Sequence, residues 1–152
     1  MRAVIQRVSQ SSVSINKKVI SQIGPGFLVL LGIGENDSPA EVDYLVKKIA
    51  NLRIMADSKN KMNLSLKDTN GEILVVSQFT LYADTKKGNR PSFIEAATPQ
   101  KAKDLYELFI KKAKQEGIKV KSGEFAAMMD ISLVNSGPVT IIVDSQKDYK
   151  NK

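Results

Sequence analysis

Along the first third of the chain, apolar residues fall on alternate positions. Ala3, Ile5 and Arg7 face one way and Val4, Gln6 and Val8 the other; Val13 and Ile15 then alternate with serines. That is the period-two pattern of a strand with one face in a core. Asn16-Lys17 supplies a hairpin turn leading into Val19, Ile20 and Ile23. Gly24-Pro25-Gly26 breaks the chain before Phe27-Leu28-Val29-Leu30-Leu31-Gly32-Ile33. This run is short and apolar on both faces, which predicts a central strand.

The period then lengthens. Ser38 can cap a helix, Pro39 suits its first position and Glu41 completes a capping box, after which Val42, Leu45, Val46, Ile49 and Leu52 form one apolar stripe. A second helix opens in the same way at Thr98-Pro99, with Ala102, Leu105, Phe109 and Ala113 as its stripe and Gly117 as its stop. Lys101, Lys103, Lys111, Lys112 and Lys114 decorate its other faces, either solvated or meeting phosphates. Between the helices, Asp68-Thr69-Asn70-Gly71 predicts a type I′ hairpin turn, followed by a strand over Glu72 to Leu81. Gly88-Asn89-Arg90-Pro91-Ser92-Phe93 reads as an ordered loop. Ile131 to Val134 and Val139 to Val143 read as strands on either side of Asn135-Ser136-Gly137-Pro138. The order predicts a single α+β domain, residues 1–144, with a mostly antiparallel sheet and two main helices, and a polar tail over 145–152.

Composition narrows the chemistry. The 152 residues suit one domain with one sizeable core. Cysteine is absent, which excludes disulfides, thiolate nucleophiles and cysteine-ligated metals. Histidine is absent too, which removes the usual base near neutral pH, every Ser-His-Asp arrangement and the commonest metal ligand. Catalysis here must rest on hydroxyls, carboxylates, amines, backbone amides or the substrate itself. A formal charge of +7 favours polyanionic partners, although a solvated basic surface is the more ordinary reading of charge alone. No apolar run approaches the ~20 residues of a membrane span, and the opening Met1 to Arg7 lacks a signal peptide's apolar region, so the expected location is cytoplasmic.

Two segments carry candidate chemistry. In the strand Val75 to Leu81, alternation would put Ser77, Phe79 and Leu81 on one face and Gln78, Thr80 and Tyr82 on the other. Gln78 and Thr80 then offer an amide and a hydroxyl that can hold a polar substrate group. A surface-facing polar stripe is the more ordinary reading of the same pattern. Thr80 as a nucleophile needs a neighbouring base, and only Asp84, Tyr82 or a lysine stands near in sequence, so a positioning role fits better. The second segment is Gly137-Pro138, an ordinary turn or a cis peptide whose fixed carbonyls could gauge a small ligand.

These residues resemble a known family. Ser77-Gln78-Phe79-Thr80-Leu81 and Asn135-Ser136-Gly137-Pro138-Val139-Thr140 look like the two signature motifs of D-aminoacyl-tRNA deacylases. The likeness extends to Met1 through Val8, to the Gly88–Phe93 loop and to Gly123-Glu124-Phe125-Ala126-Ala127-Met128-Met129, and ends near Asp144. It implies hydrolysis of the ester joining a D-amino acid, or glycine mischarged on tRNA(Ala), to the terminal adenosine of tRNA. It further implies a homodimer with sites at the subunit interface and no cofactor, metal or membrane.

By position, Ser77, Gln78, Phe79 and Thr80 would line the aminoacyl pocket, and Phe125 and Met129 would pack around the terminal adenine. Ordinary core packing is the rival reading for Met129. Gly137 and Pro138, in the cis form, would enter the partner subunit's pocket and exclude L side chains. Arg7 would hydrogen-bond their carbonyls. The family mechanism implies activation of water by the 2′-hydroxyl of the terminal adenosine, with Thr80 as the other candidate. Met128 stands where many members have Asp, and Ala126 where Gly is common. Lys86, Lys87 and Arg90 are either phosphate contacts or solubilising charge. The alternatives are an L-alanine-editing relative with a trans Gly-Pro, a non-catalytic RNA-binding protein, and a small-molecule hydrolase or isomerase.

Overall fold

The N-terminal alternation becomes one long strand. In the computed structural model, which describes residues 1–148, β1 spans Arg2–Ile15 and organises the sheet. One edge of β1 pairs antiparallel with β2 (Lys18–Ile23) through residues 11–15 and with β3 (Gly26–Gly32) through residues 2–8. Its other edge pairs antiparallel with β8 (Asp130–Asp144). Asn16 and Lys17 form the expected turn at φ of 50° and 66°, since a two-residue hairpin loop with the right twist needs left-handed backbone at both positions.

Beyond β3 the sheet changes character. β6 (Glu72–Ser77) runs parallel to β3, and β7 (Lys119–Ser122) runs parallel to β6, giving the order β2-β1-β3-β6-β7 with β8 on β1. The sheet is therefore mixed, with antiparallel pairing confined to β1. A parallel neighbour requires a long crossover, and each of the two helices supplies one. The helix α1 (Pro39–Ala50) lies between β3 and β6, and α3 (Pro99–Gln115) lies between β6 and β7. A small hairpin of β4 (Met55–Ala56) and β5 (Met62–Leu64) follows α1.

The central strands are buried on both faces. Phe27, Val29 and Leu31 of β3 and Ile73 and Val75 of β6 point into the main core with Val42, Leu45 and Ile49 of α1 and Leu105 and Phe109 of α3. Leu28, Leu74 and Val76 point the other way, to Val8, Val13 and Ile23. Ser38 and Glu41 make the capping box of α1, whereas Thr98 begins α3 without a side-chain capping bond.

Two local expectations are corrected. Asp68-Thr69-Asn70-Gly71 ends a single helical turn, α2 (Leu66–Thr69), instead of joining two strands. Ser65 and Asp68 bond reciprocally at its start, and Asn70 takes left-handed backbone at φ 53° as its C-cap. The tolerance of Asn for that region, which favours hairpin turns, serves a helix end equally well. The segments Ile131 to Val134 and Val139 to Val143 belong to one strand, β8, interrupted by a bulge. Ser145–Asp148, placed by sequence at the start of a polar tail, form one helical turn, α4; the rest of that segment lies outside the described residues. Among the described residues, no helix is long and apolar enough to cross a membrane.

Candidate functional site

The strand expected to reach Leu81 stops at Ser77, one residue short of the end of its partner β3 at Gly32. The last pair between β3 and β6 is Leu31 with Ser77, after which Gln78 N–H donates to the Leu31 carbonyl at 2.9 Å. The chain then winds into a 3₁₀ turn over Phe79–Tyr82, where Leu81 N–H reaches the Gln78 carbonyl at 3.3 Å and Ala83 N–H the Thr80 carbonyl at 3.0 Å. Gly32 makes room for it: a Cβ there would lie 2.9 Å from the Leu81 Cβ. The turn overrides the period-two expectation. Phe79 and Thr80 are both exposed, and Tyr82 is buried. The Gln78 amide nitrogen donates to the Thr80 hydroxyl oxygen, so these two polar groups do meet.

Opposite the turn lies the segment from Gly123 to Met129. Gly123 N–H donates to the Val75 carbonyl at 3.1 Å, and the Tyr106 hydroxyl donates to the same oxygen at 2.9 Å, tying β6, α3 and this segment together. The Phe125 ring lies 5.9 Å from that of Tyr106. Between turn and segment is a pocket of about 600 Å³ whose lining includes Ser77, Gln78, Phe79, Phe93, Phe125 and Met129.

Phe93, in the Gly88–Phe93 loop, meets Phe79 edge-on at 5.1 Å and 70°; its aromatic character in a polar loop was the available signal. Ala97, Pro99 and Ala102 of the α3 start and Ile131 of β8 also line the pocket, and nothing in sequence singles them out. Phe125 and Met129 pack partly into the core as well as lining the pocket, so core packing and a ligand contact coexist in each. Met128 is 92% exposed, and Ala126 adopts φ 63°.

Among the described residues lining this pocket, none carries a titrating side chain. The pocket can stack, orient and hydrogen-bond, and a proton must move elsewhere. The nearby phenols are not substitutes. Burial and the Asp37 carboxylate push the Tyr82 hydroxyl well above the usual range, and burial pushes Tyr106 up to about 12. A second concavity, about 650 Å³, runs along α1 among Asp43, Lys47, Lys48 and Arg53. It is a groove lined largely by charged surface side chains.

Gly137 and Pro138 lie apart from the pocket of their own chain. Gln6 pairs with Thr140 and Val8 with Asn135, so residues 136–139 bulge out opposite Arg7 alone. The Gly137–Pro138 peptide is cis, and both residues are exposed. Gly137 has φ +130°, which L side chains rarely adopt, and a Cβ there would lie 2.8 Å from an Arg7 nitrogen. Arg7 donates to the Ser136 carbonyl at 3.0 Å and to the Ile54 carbonyl at 2.7 Å, so it grips the residue before the Gly-Pro pair and not the pair's own carbonyls. Asn135, which sequence reasoning left without a role, closes the bulge. Its Oδ1 accepts from Val139 N–H at 3.0 Å and its amide donates to the Thr140 hydroxyl at 3.0 Å.

Comparison with known proteins gives one answer. Residues 4–144 match the family described as D-Tyr-tRNA(Tyr) deacylase. The chain is 55% identical over 150 residues to D-aminoacyl-tRNA deacylase of Thermosipho melanesiensis, covering 98% of this chain and all of that one. It is 56% identical over 149 residues to that of Clostridioides difficile, with the same coverage. Among solved structures, it superposes on c-Myc DNA Unwinding Element Binding Protein with a TM-score of 0.90 at 40% identity, covering 95% of this chain and 99% of that one. A probable eukaryotic D-amino acid tRNA deacylase shares the fold at 16% identity, with a TM-score of 0.83 over 93% and 97% of the two chains. With nearly the whole chain matched at more than half identity, this protein belongs to the D-Tyr-tRNA(Tyr) deacylase family.

Proposed function

We propose that the pocket between the Gln78–Thr80 turn and the Phe125–Met129 segment holds the aminoacylated terminal adenosine of tRNA. There the protein hydrolyses the ester of a D-amino acid, or of glycine mischarged on tRNA(Ala). The observation that carries the reading is a lining of aromatic and thioether faces suited to a base, with no titrating side chain, into which Gln78 brings an amide that also donates to the neighbouring Thr80 hydroxyl. Water is then activated by the 2′-hydroxyl of the terminal adenosine. The protein contributes orientation, together with stabilisation of the developing oxyanion by the first N–H groups of the 3₁₀ turn, which have no carbonyl within the turn to bond. Thr80 accepts from Gln78 through its oxygen and keeps its own proton for a substrate acceptor, a positioning role.

The Gly137–Pro138 bulge serves the pocket of a second copy, where its carbonyls stand in the way of an L side chain and leave a D side chain or glycine free. Its exposure, and its absence from the pocket of its own chain, support this reading. So does the apolar surface beside it on β8, where Val134 is 49% and Ile142 71% exposed. The test is a D-Tyr-tRNA whose terminal adenosine lacks the 2′-hydroxyl. Its hydrolysis should fall to near the uncatalysed rate while binding is retained; hydrolysis at the full rate would exclude the RNA-assisted step.

A further inference from the structure

Arg2 lies outside the pocket, yet it holds the far end of the turn that forms one wall. Its guanidinium divides between two acceptors: Nε donates to the Asp144 carboxylate at 3.0 Å, and Nη1 donates to the Leu81 carbonyl at 2.9 Å. Its carbon centre lies 4.4 Å from the centroid of the Tyr82 ring. The Tyr82 hydroxyl in turn donates to the buried Asp37 at 3.2 Å, and the same Asp37 oxygen accepts from Gly34 N–H at 2.7 Å, just past the end of β3. The last carbonyls of a helical turn have no partner within it, and a short turn of this kind is the part of a fold that opens most cheaply. Arg2 closes it at Leu81 and ties it to β8, and the stacked Tyr82 ties it to β3.

We propose that Arg2 is a positioning residue for the hydrolysis, acting by fixing the turn that presents Phe79 and Thr80 to the substrate. The inference rests on the reading of that turn as part of the site. Lysine cannot reproduce the contact, because one ammonium lacks the planar fork that serves a carboxylate and a carbonyl at once while lying over a ring. A turn free to shift by an ångström would leave binding to the rest of the pocket largely intact and misalign the ester.

The experiment is steady-state deacylation of D-Tyr-tRNA by the full chain carrying Arg2→Ala, Arg2→Lys, Asp144→Asn or Gln78→Ala, with amide hydrogen exchange at Ala83, whose N–H bonds Thr80. Arg2→Ala should lower kcat by about 10- to 100-fold with KM nearly unchanged. It should also accelerate exchange at Ala83. Arg2→Lys and the near-isosteric Asp144→Asn, which guards against a folding defect in the alanine variant, should fall between it and the wild type on both readouts. Wild-type kcat and wild-type exchange in Arg2→Ala, or a raised KM with kcat intact, would overturn the proposal. If Gln78→Ala is itself as active as the wild type, the reading of the turn as the site fails first; if it is slow while Arg2→Ala is normal, only the role of Arg2 fails.

Discussion

Thr80 and Gln78 show how far one hydrogen bond can decide a mechanism. Among the described residues, the side-chain partner of the Thr80 hydroxyl is the Gln78 amide, a donor that cannot take its proton. Thr80→Ala should therefore retain activity within about 10-fold of the wild type and should never trap an acyl-enzyme, since one orienting hydrogen bond is worth roughly 1 kcal/mol. Detection of a covalent Thr80 ester would reverse that assignment. Ala126 makes the opposite kind of statement. It carries a side chain at φ 63°, where L residues pay for a close Cβ contact. Ala126→Gly should raise stability by about 0.5–1 kcal/mol in urea unfolding, the relief of that contact exceeding the entropy glycine adds to the unfolded chain. A lower midpoint would show that Ala126 is held by contacts its backbone does not reveal.

At the scale of elements, the turn begins where β6 leaves its parallel neighbour. β6 ends at Ser77 while β3 runs on to Gly32, and the chain coils back over that last β3 residue, where glycine leaves room for Leu81. Gly32→Ala puts a methyl 2.9 Å from the Leu81 Cβ, too close to absorb without displacing the turn. It should cost about 1–3 kcal/mol of stability and slow deacylation at a temperature where the variant is still folded. Wild-type activity in that variant would mean the turn's placement on β3 is not what aligns the ester. The sequence could not disclose this. Alternation carried the strand to Leu81 because local periodicity does not register where a chain leaves its neighbouring strand to wind into a 3₁₀ turn. For the same reason it split β8 in two at Asn135–Pro138, where β1 in fact continues past a bulge. The two long helices, α1 and α3, were legible almost to the residue, because their caps and stripes are local, whereas the single turns α2 and α4 were not. The parallel pairing of β6 and β7 was not, because it depends on crossovers folding back over the sheet. Of the site, the motif residues could be named from sequence, whereas the contributions of Phe93, Asn135 and Tyr106 arise only when distant segments meet.

Over the whole molecule, the buried tyrosines add a strongly alkaline pH response. Tyr82 and Tyr106 both hold their protons more tightly in the folded chain than in an unfolded one, mainly through burial. Between about pH 10 and pH 12 the unfolded chain releases these protons and the folded chain retains them, so stability is full below pH 10 and falls as pH rises through that window. Tyr106→Phe should flatten that decline in urea titrations at pH 9 to about pH 11; an unchanged slope would show that the phenol ionises freely when folded. The same scale holds the least local feature of the account. A pocket in one chain lacks the Gly137–Pro138 bulge, and that bulge projects from a β8 surface rich in exposed apolar residues. Under the proposed reading, selection by handedness requires two copies and is a matter of shape. The most direct measurement is hydrolysis of D-Tyr-tRNA and L-Tyr-tRNA by the purified protein, side by side. The account predicts rapid release of the D-amino acid with the L-ester left intact, and equal cleavage of the two would contradict it.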